Sequence, residues 1–274
     1  MDLLLLIKAV VMGLVEGLTE FLPVSSTGHL ILAGEILQFL DQDRRAVFEI
    51  MIQLGAILAV CWVYRERLLS VVRAWRSTSS QKFALNLVLA FLPSAILGAF
   101  FIQWIKEHFF NPLSVACALV VGGVVILWVE RRYVQSERVS SLDEMTWRDA
   151  LKVGAAQVLS LIPGTSRSGA TIIGGLFFGL SRQTATEFSF FLAIPTMLMA
   201  TLYEGYENRA LLHWGDVDVF LMGFFSAFVF ALIAVRGLLR YIQRHNFVWF
   251  AWYRIVFGLL ILISSHLGWV HWGG

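Results

Sequence analysis

The chain has 274 residues, 58% of them hydrophobic and 15% charged. A soluble domain carries roughly 25% charged residues, so a soluble class is excluded and no stretch is left over for a separate soluble domain. The net charge of only +2 gives no general affinity for nucleic acid.

The first apolar region, residues 3–40, is interrupted midway at "PVSSTG". It lacks a positive leading segment and a small-residue cleavage site, so it is expected to be retained rather than removed as a signal peptide. Six segments then have the length a bilayer core requires: about 47–64, 83–104, 113–130, 184–203, 218–237 and 248–267. Between the third and fourth lies a second interrupted region, 150–182, broken at "PGTSRSG". Each half of an interrupted region is too short to cross alone, which predicts two helical hairpins that enter and leave by the same face.

Both cysteines, Cys61 and Cys117, fall in apolar runs and read as buried, unpaired side chains. The abundant aromatics include Trp249, Trp252, Trp269 and Trp272 at the two ends of the last span, where interfacial belts form. His213, His245, His266 and His271 fall in loops or at span ends, with no ligand spacing among them.

Lys and Arg in short loops set orientation. The 65–82 stretch carries Arg65, Arg67, Arg73, Arg76 and Lys82, and the 131–152 and 236–246 loops are also arginine-rich. The segment "YEGYENRALLHWGDVD" has one arginine and four acids. The basic loops are therefore expected on the cytoplasmic side, with both termini and the 204–217 loop outside.

The two interrupted regions resemble each other. "GLVEGLTEFLPVSSTG" (13–28) aligns with "GAAQVLSLIPGTSRSG" (154–169) given one deleted residue, setting Glu16 opposite Gln157, Pro23 opposite Pro163 and Ser26 opposite Ser166. The expected fold is an all-α integral membrane protein of one domain, with six transmembrane helices plus two re-entrant helical hairpins in an inverted-topology repeat. The repeats span about 1–132 and 150–267. Such repeats place a site where the broken helices meet near the midplane.

Broken backbone at membrane depth is tolerated only when buried in protein or lining a wet cavity, and ionisable groups there are functional by default. Glu16 and Glu20 are spaced i,i+4 and share a helix face. Two carboxylates aimed at one point suit a divalent cation, Mg²⁺ or Ca²⁺, or a shared proton. The alternative is a solvated helix end. "PGTSRSGAT" offers Ser166, Arg167, Ser168 and Thr171 at a helix start, a combination that binds phosphate. Ser26 with His29 three residues on supplies a nucleophile and a base. Together these groups read as phosphoryl transfer on a membrane-borne anionic substrate.

Other polar residues carry plainer readings. Glu49 and Gln53 lie i,i+4 and either support the site or bond each other. Glu187 begins a span near Arg182, where an interfacial ion pair is expected. Arg254, a few residues inside the last span, is expected to snorkel or to meet a carboxylate.

The stretches "EGLTEFLPVSSTGH" and "PGTSRSGAT" resemble the two signature motifs of the undecaprenyl-diphosphate phosphatase family, the bacitracin-resistance proteins of bacterial inner membranes. The resemblance extends over essentially the whole chain, through "FEIMIQLGAILAV", "ALVVGG" and "EFSFFLAIP". It implies removal of the terminal phosphate from undecaprenyl diphosphate, dependence on a divalent metal, and a site open to the outer face. Residue by residue it implies Glu16 and Glu20 as metal and acid–base carboxylates and Ser26 as the proposed nucleophile with His29 as partner. Ser166, Arg167, Ser168 and Thr171 would bind the diphosphate. Whether Ser26 or a water attacks stays open, as do the oligomeric state (a homodimer included) and the accepted isoprenoid length. The competing class is a secondary transporter or lipid flippase using the same inverted-repeat site, with Glu16 and Glu20 as ion sites and Arg167 as a clamp.

Overall fold

Lipid offers no partner to backbone N–H and C=O groups, so a chain this apolar must satisfy them within helices. The structure, a computed structural model, describes residues 3–133, 137–209 and 216–267. His213, His271, Trp269 and Trp272 lie outside the described residues.

The first half holds α1 (Leu3–Thr19), α2 (Ser26–Leu37), α3 (Gln42–Val63), α4 (Arg65–Arg73), α5 (Thr78–Phe109) and α6 (Pro112–Tyr133). The second holds α7 (Trp147–Gln157), α8 (Arg167–Phe177), α9 (Arg182–Glu207), α10 (Val217–Ile242) and α11 (Val248–His266), with a 3₁₀ turn over Val158–Leu161 after α7. Six of these helices, α3, α5, α6, α9, α10 and α11, are long and apolar enough to cross a membrane. They coincide with the six segments read from the sequence. With their outward faces lined by residues such as Phe100, Trp104, Phe225 and Leu260, they make this a multi-pass membrane protein.

Two boundaries differ from expectation. The 65–82 stretch is not all loop, because Arg65–Arg73 forms α4, an exposed amphipathic helix. α5 starts at Thr78, where the Ser77 side chain accepts from the Ser80 amide and caps it. Both cysteines are free, but Cys117 is exposed on α6 and Cys61 half-buried. A small thiol side chain facing lipid carries no desolvation penalty, so burial inside the protein was not required.

Several of the main packing pairs recur when the two halves are exchanged, although α8 packs on α9 without a matching contact of α2 on α3. α1 packs on α10 as α7 packs on α5, α3 on α10 as α9 on α5, and α1 on α2 as α7 on α8; α3 meets α9, and α6 meets α11. Each interrupted helix is therefore cradled by a span of the opposite half. The largest buried apolar cluster, containing Phe21, Ile172, Phe188 and Phe190, seals the region where the two breaks meet, with Phe21 edge-on to Phe190 at 5.5 Å.

Candidate active site

α1 ends at Thr19, although the Glu20 amide still bonds the Glu16 carbonyl at 2.9 Å. Pro23 removes a donor, the Val24 amide turns back to the Leu22 carbonyl (2.7 Å), and Ser25 adopts φ 72°, ψ 100°. α2 then starts at Ser26. In the other half the chain passes through the 3₁₀ turn to Ser166 at φ 71°, ψ 119°, and α8 starts at Arg167. A serine at positive φ is costly and persists only where its surroundings over-determine it. Here it occurs at the same point of both halves.

The two positive-φ serines pair the segments differently from the sequence comparison. The backbone sets Ser25 opposite Ser166 and Ser26 opposite Arg167, one residue away from the sequence alignment. The prolines fix the sequence alignment, but one residue separates Pro23 from Ser25 and two separate Pro163 from Ser166. Ser26 and Arg167 thus hold equivalent places, each the first residue of a helix entering the site. Two helix N-termini, both favourable to an anion, converge there.

The breaks are joined through side chains. Ser26 Oγ donates to Glu20 Oε2 at 2.6 Å. Glu20 Oε1 accepts from Arg167 Nε and Nη2, both at 3.3 Å, and Arg167 Nη1 donates to the Ser189 carbonyl at 3.1 Å. The guanidinium lies over the Phe21 ring, 5.9 Å from its centroid. Ser168 Oγ crosses to the Leu22 carbonyl at 2.7 Å. Ser26, Glu20 and Arg167 form one hydrogen-bonded chain, and the Glu20 and Arg167 side chains each keep 10% of their surface exposed.

The remaining expected residues are placed differently. Ser166 caps α8, its Oγ accepting from the Gly169 amide and meeting Ser168 Oγ, both at 3.1 Å. Thr171 Oγ1 donates to the Arg167 carbonyl at 2.9 Å and shares a 2.6 Å hydrogen bond with Ser189 Oγ. These three hydroxyls are buried and shape the first turn of α8. What that turn offers an anion is its backbone N–H groups, with Arg167 as the charged side chain.

His29 does not meet Ser26. Its Nδ1 lies 2.7 Å from the Ser25 carbonyl and its Nε2 2.6 Å from the Tyr253 hydroxyl, with the ring stacked on Phe257 at 4.0 Å. A carbonyl only accepts, so Nδ1 carries the hydrogen, and in the neutral ring Nε2 accepts from Tyr253. As the first residue of α2, Ser26 turns back across the break towards the end of α1, whereas His29, nearly a turn further, faces α11. Glu20 takes the position beside the hydroxyl that sequence spacing assigned to His29.

Glu16 is fully buried and both its carboxylate oxygens lack a partner. It lies within electrostatic reach of Glu20, Glu49 and Arg167. Gln157, which the sequence comparison sets opposite Glu16, is equally buried but satisfied, donating to Ser94 Oγ at 2.5 Å and accepting from Thr196 Oγ1 at 3.4 Å. An orphaned buried carboxylate calls for a cation or a proton, so Glu16 fits a role in holding a metal. Among the described residues there is no group of three or more His, Cys, Asp or Glu side chains disposed for a metal. An ion here would rest on two carboxylates with water and substrate oxygens completing its shell, the arrangement Mg²⁺ favours.

Arg254, Tyr253 and Ser189 also reach the site. Arg254 neither snorkels nor finds a carboxylate: it is 1% exposed and donates to backbone carbonyls. Its one sequence signal was a lone arginine inside an apolar run; Tyr253 and Ser189 carried none. Arg182 pairs with Glu130 at 2.6 Å, while Glu187 accepts from Gln183. Beside the first break, a groove of about 640 Å³ is lined by Thr19, Leu22, Val24, Trp249, Trp252 and Tyr253.

The model of the family described as bacitracin resistance protein BacA matches residues 9–260. The chain is 62% identical over 273 residues to undecaprenyl-diphosphatase 2 of Rhodospirillum rubrum, covering 99% of each chain. It is 60% identical over 273 residues to the undecaprenyl-diphosphatase of Dechloromonas aromatica, again covering 99% of each. With the undecaprenyl-diphosphatase of Nitrosomonas eutropha the identity is 59% over 272 residues and the coverage the same. A family match over most of the chain and full-length relatives at this identity agree with the joined breaks, and the chain belongs to the bacitracin resistance protein family.

Proposed function

We propose that this protein hydrolyses undecaprenyl diphosphate to undecaprenyl phosphate and inorganic phosphate, recycling the lipid carrier used in cell-wall synthesis. The observation that carries the reading is the chain from Ser26 through Glu20 to Arg167, which joins a nucleophile, a proton acceptor and a phosphate clamp at two helix N-termini. The setting is the bacterial inner membrane. The arginine-rich 65–82 stretch lies on the cytoplasmic side, and the first hairpin re-enters from outside, so that the site opens to the outer face. The exchange symmetry of the packing supports the repeat of two oppositely oriented halves.

In this reading the diphosphate lies against the first turns of α2 and α8, held by Arg167 and backbone N–H groups. The isoprenoid chain leaves along the Trp249–Trp252–Leu22 groove. Ser26 Oγ attacks the terminal phosphorus as its proton passes to Glu20 Oε2. The bond from that phosphorus to the bridging oxygen breaks, and its electron pair leaves with the lipid monophosphate. Glu20 releases its proton to solvent. Water then attacks the phosphoserine: one of its protons reaches Oγ by way of Glu20, and the other departs on inorganic phosphate. Glu16 and Glu20 are the carboxylates that would hold a divalent cation, Mg²⁺ or Ca²⁺, which when bound offsets the charge on the diphosphate oxygens.

Purified protein in detergent, where no gradient exists, should release phosphate from undecaprenyl diphosphate. Substrate-dependent ion movement in sealed vesicles without phosphate release would favour a transporter instead. Glu16→Gln should raise the half-saturating metal concentration by about tenfold or more, with part of the lost rate returning at high metal. An unchanged metal titration would remove Glu16 from the ion's shell. His29→Asn should cost only about tenfold in kcat, the lower end for a mispositioned group, because its ring holds the Ser25 carbonyl and takes no proton from Ser26. A loss matching that of Ser26→Ala would return His29 to the role of base.

A further inference from the structure

The one ionised side chain sealed inside α11 is Arg254, with 1% of its surface exposed. Its four acceptors are all backbone carbonyls: Leu119 from Nε (3.3 Å), Pro23 from Nη1 (3.2 Å), and Ala118 and Gly164, each 3.1 Å from Nη2. Two belong to α6, one to the first break and one to the second. Pro23 is two residues before Ser25, and Gly164 is two residues before Ser166. The guanidinium therefore grips the same backbone position in both halves of the repeat, just ahead of each positive-φ serine.

Space for the head group is built by residues without side chains. A Cβ on Gly122 of α6 would collide with the guanidinium, and one on Gly169 of α8 would sit 3.0 Å from Nη1. Gly164, itself a ligand of the head group, is at φ 89° and would bring a Cβ against the backbone of Val115. A rigid planar fork with five donors suits four carbonyls lying in different directions; an ammonium on a flexible stem does not.

We infer that Arg254 is a positioning residue that clamps the two broken loops together, fixing the distance between Ser26–Glu20 on one and Arg167 on the other. The inference rests on the phosphatase reading. The strained serines persist because residues around them are over-determined, and Arg254 supplies one such restraint to both loops at once. The same bonds oppose any sliding of one half past the other at this level, so chemistry proceeds at a site whose two sides stay in fixed register.

The test compares Arg254→Met, Arg254→Lys and Gly122→Ala, the last keeping the arginine but crowding its head group. Each is purified in detergent, and turnover is normalised to the monodisperse folded fraction. Arg254→Met is expected to lose about 10²-fold in kcat, the cost of displacing reacting groups by about an ångström, while KM stays within threefold. Gly122→Ala should follow in the same direction with a smaller loss, and lysine should not restore the wild-type rate.

Amide hydrogen exchange gives a readout independent of catalysis. The segments 20–28 and 162–169 should both exchange about tenfold faster in the variants, because the restraint lost is common to the two loops. Faster exchange in one loop alone, or wild-type kcat in the folded fraction of Gly122→Ala, would overturn the clamp. Should the Arg254 variants fail to fold, Gly122→Ala decides the matter by the same two measurements. Wild-type protein without phosphatase turnover would instead sink the function on which the inference rests, and the exchange experiment would still report on the clamp.

Discussion

Ser26→Ala is expected to lower the rate of phosphate release by about 10³-fold or more, with substrate binding little changed. The hydroxyl lies 2.6 Å from Glu20 Oε2 and is the first side chain of α2, so its removal takes away the proposed attacking atom and leaves the proposed phosphate clamp in place. Glu20→Gln should cost a comparable factor: an amide cannot accept and hold the proton, and the carboxylate oxygen facing Arg167 loses its charge. The double variant should be little worse than either single one, since groups that act as a unit are lost together. No metal concentration should restore Ser26→Ala, because a cation cannot replace a nucleophile. Retention of a tenth or more of wild-type turnover would mean that water attacks, with Glu20 as its base, and the phosphoserine step would be abandoned.

Much of the fold could be read from hydropathy, because lipid imposes a length rule and a satisfaction rule on every crossing segment. The six spans and the places where α1–α2 and α7–α8 break followed from those rules. The candidate site was legible in its residue types: charge and hydroxyls at membrane depth demanded a reason, and Glu20 joins Ser26 to Arg167, with Glu16 within electrostatic reach of Glu20 and Arg167. Which group partners which was not legible. Ser26 and His29 share a sequence spacing that suggests one face, yet the backbone reversal at Ser25 sends Ser26 towards Glu20 and leaves His29 to α11. Serine rarely takes positive φ, so nothing in the letters marked Ser25 or Ser166. Arg254 stands out in the sequence as a lone arginine, but its four carbonyl acceptors come from three separate stretches of chain and meet only in the folded protein.

Arg167→Lys is expected to reduce kcat/KM by about 10²-fold, close to 2.7 kcal/mol of transition-state stabilisation, although charge is conserved. Arg167 serves three directions at once. Nε and Nη2 face Glu20, Nη1 holds the Ser189 carbonyl, and the remaining N–H groups are left for phosphate oxygens. Lysine concentrates its donors on one nitrogen and cannot keep Glu20 aligned with Ser26 while gripping two phosphate oxygens. The 3.3 Å bonds to Glu20 are long for a charge-assisted pair, so in the proposed mechanism the guanidinium can shift its hold to the substrate. In that mechanism, entry of the dianionic terminal phosphate would strengthen the arginine's interactions as negative charge spreads over the equatorial oxygens. The loss should appear in kcat as well as in KM, since both the alignment of Glu20 and the transition-state charge depend on the fork. Inorganic phosphate should also protect Arg167 of the wild-type protein from arginine-selective modification. Wild-type turnover in Arg167→Lys with metal saturating, or modification unaffected by phosphate, would take Arg167 out of the site and leave α8 contributing its N-terminus alone.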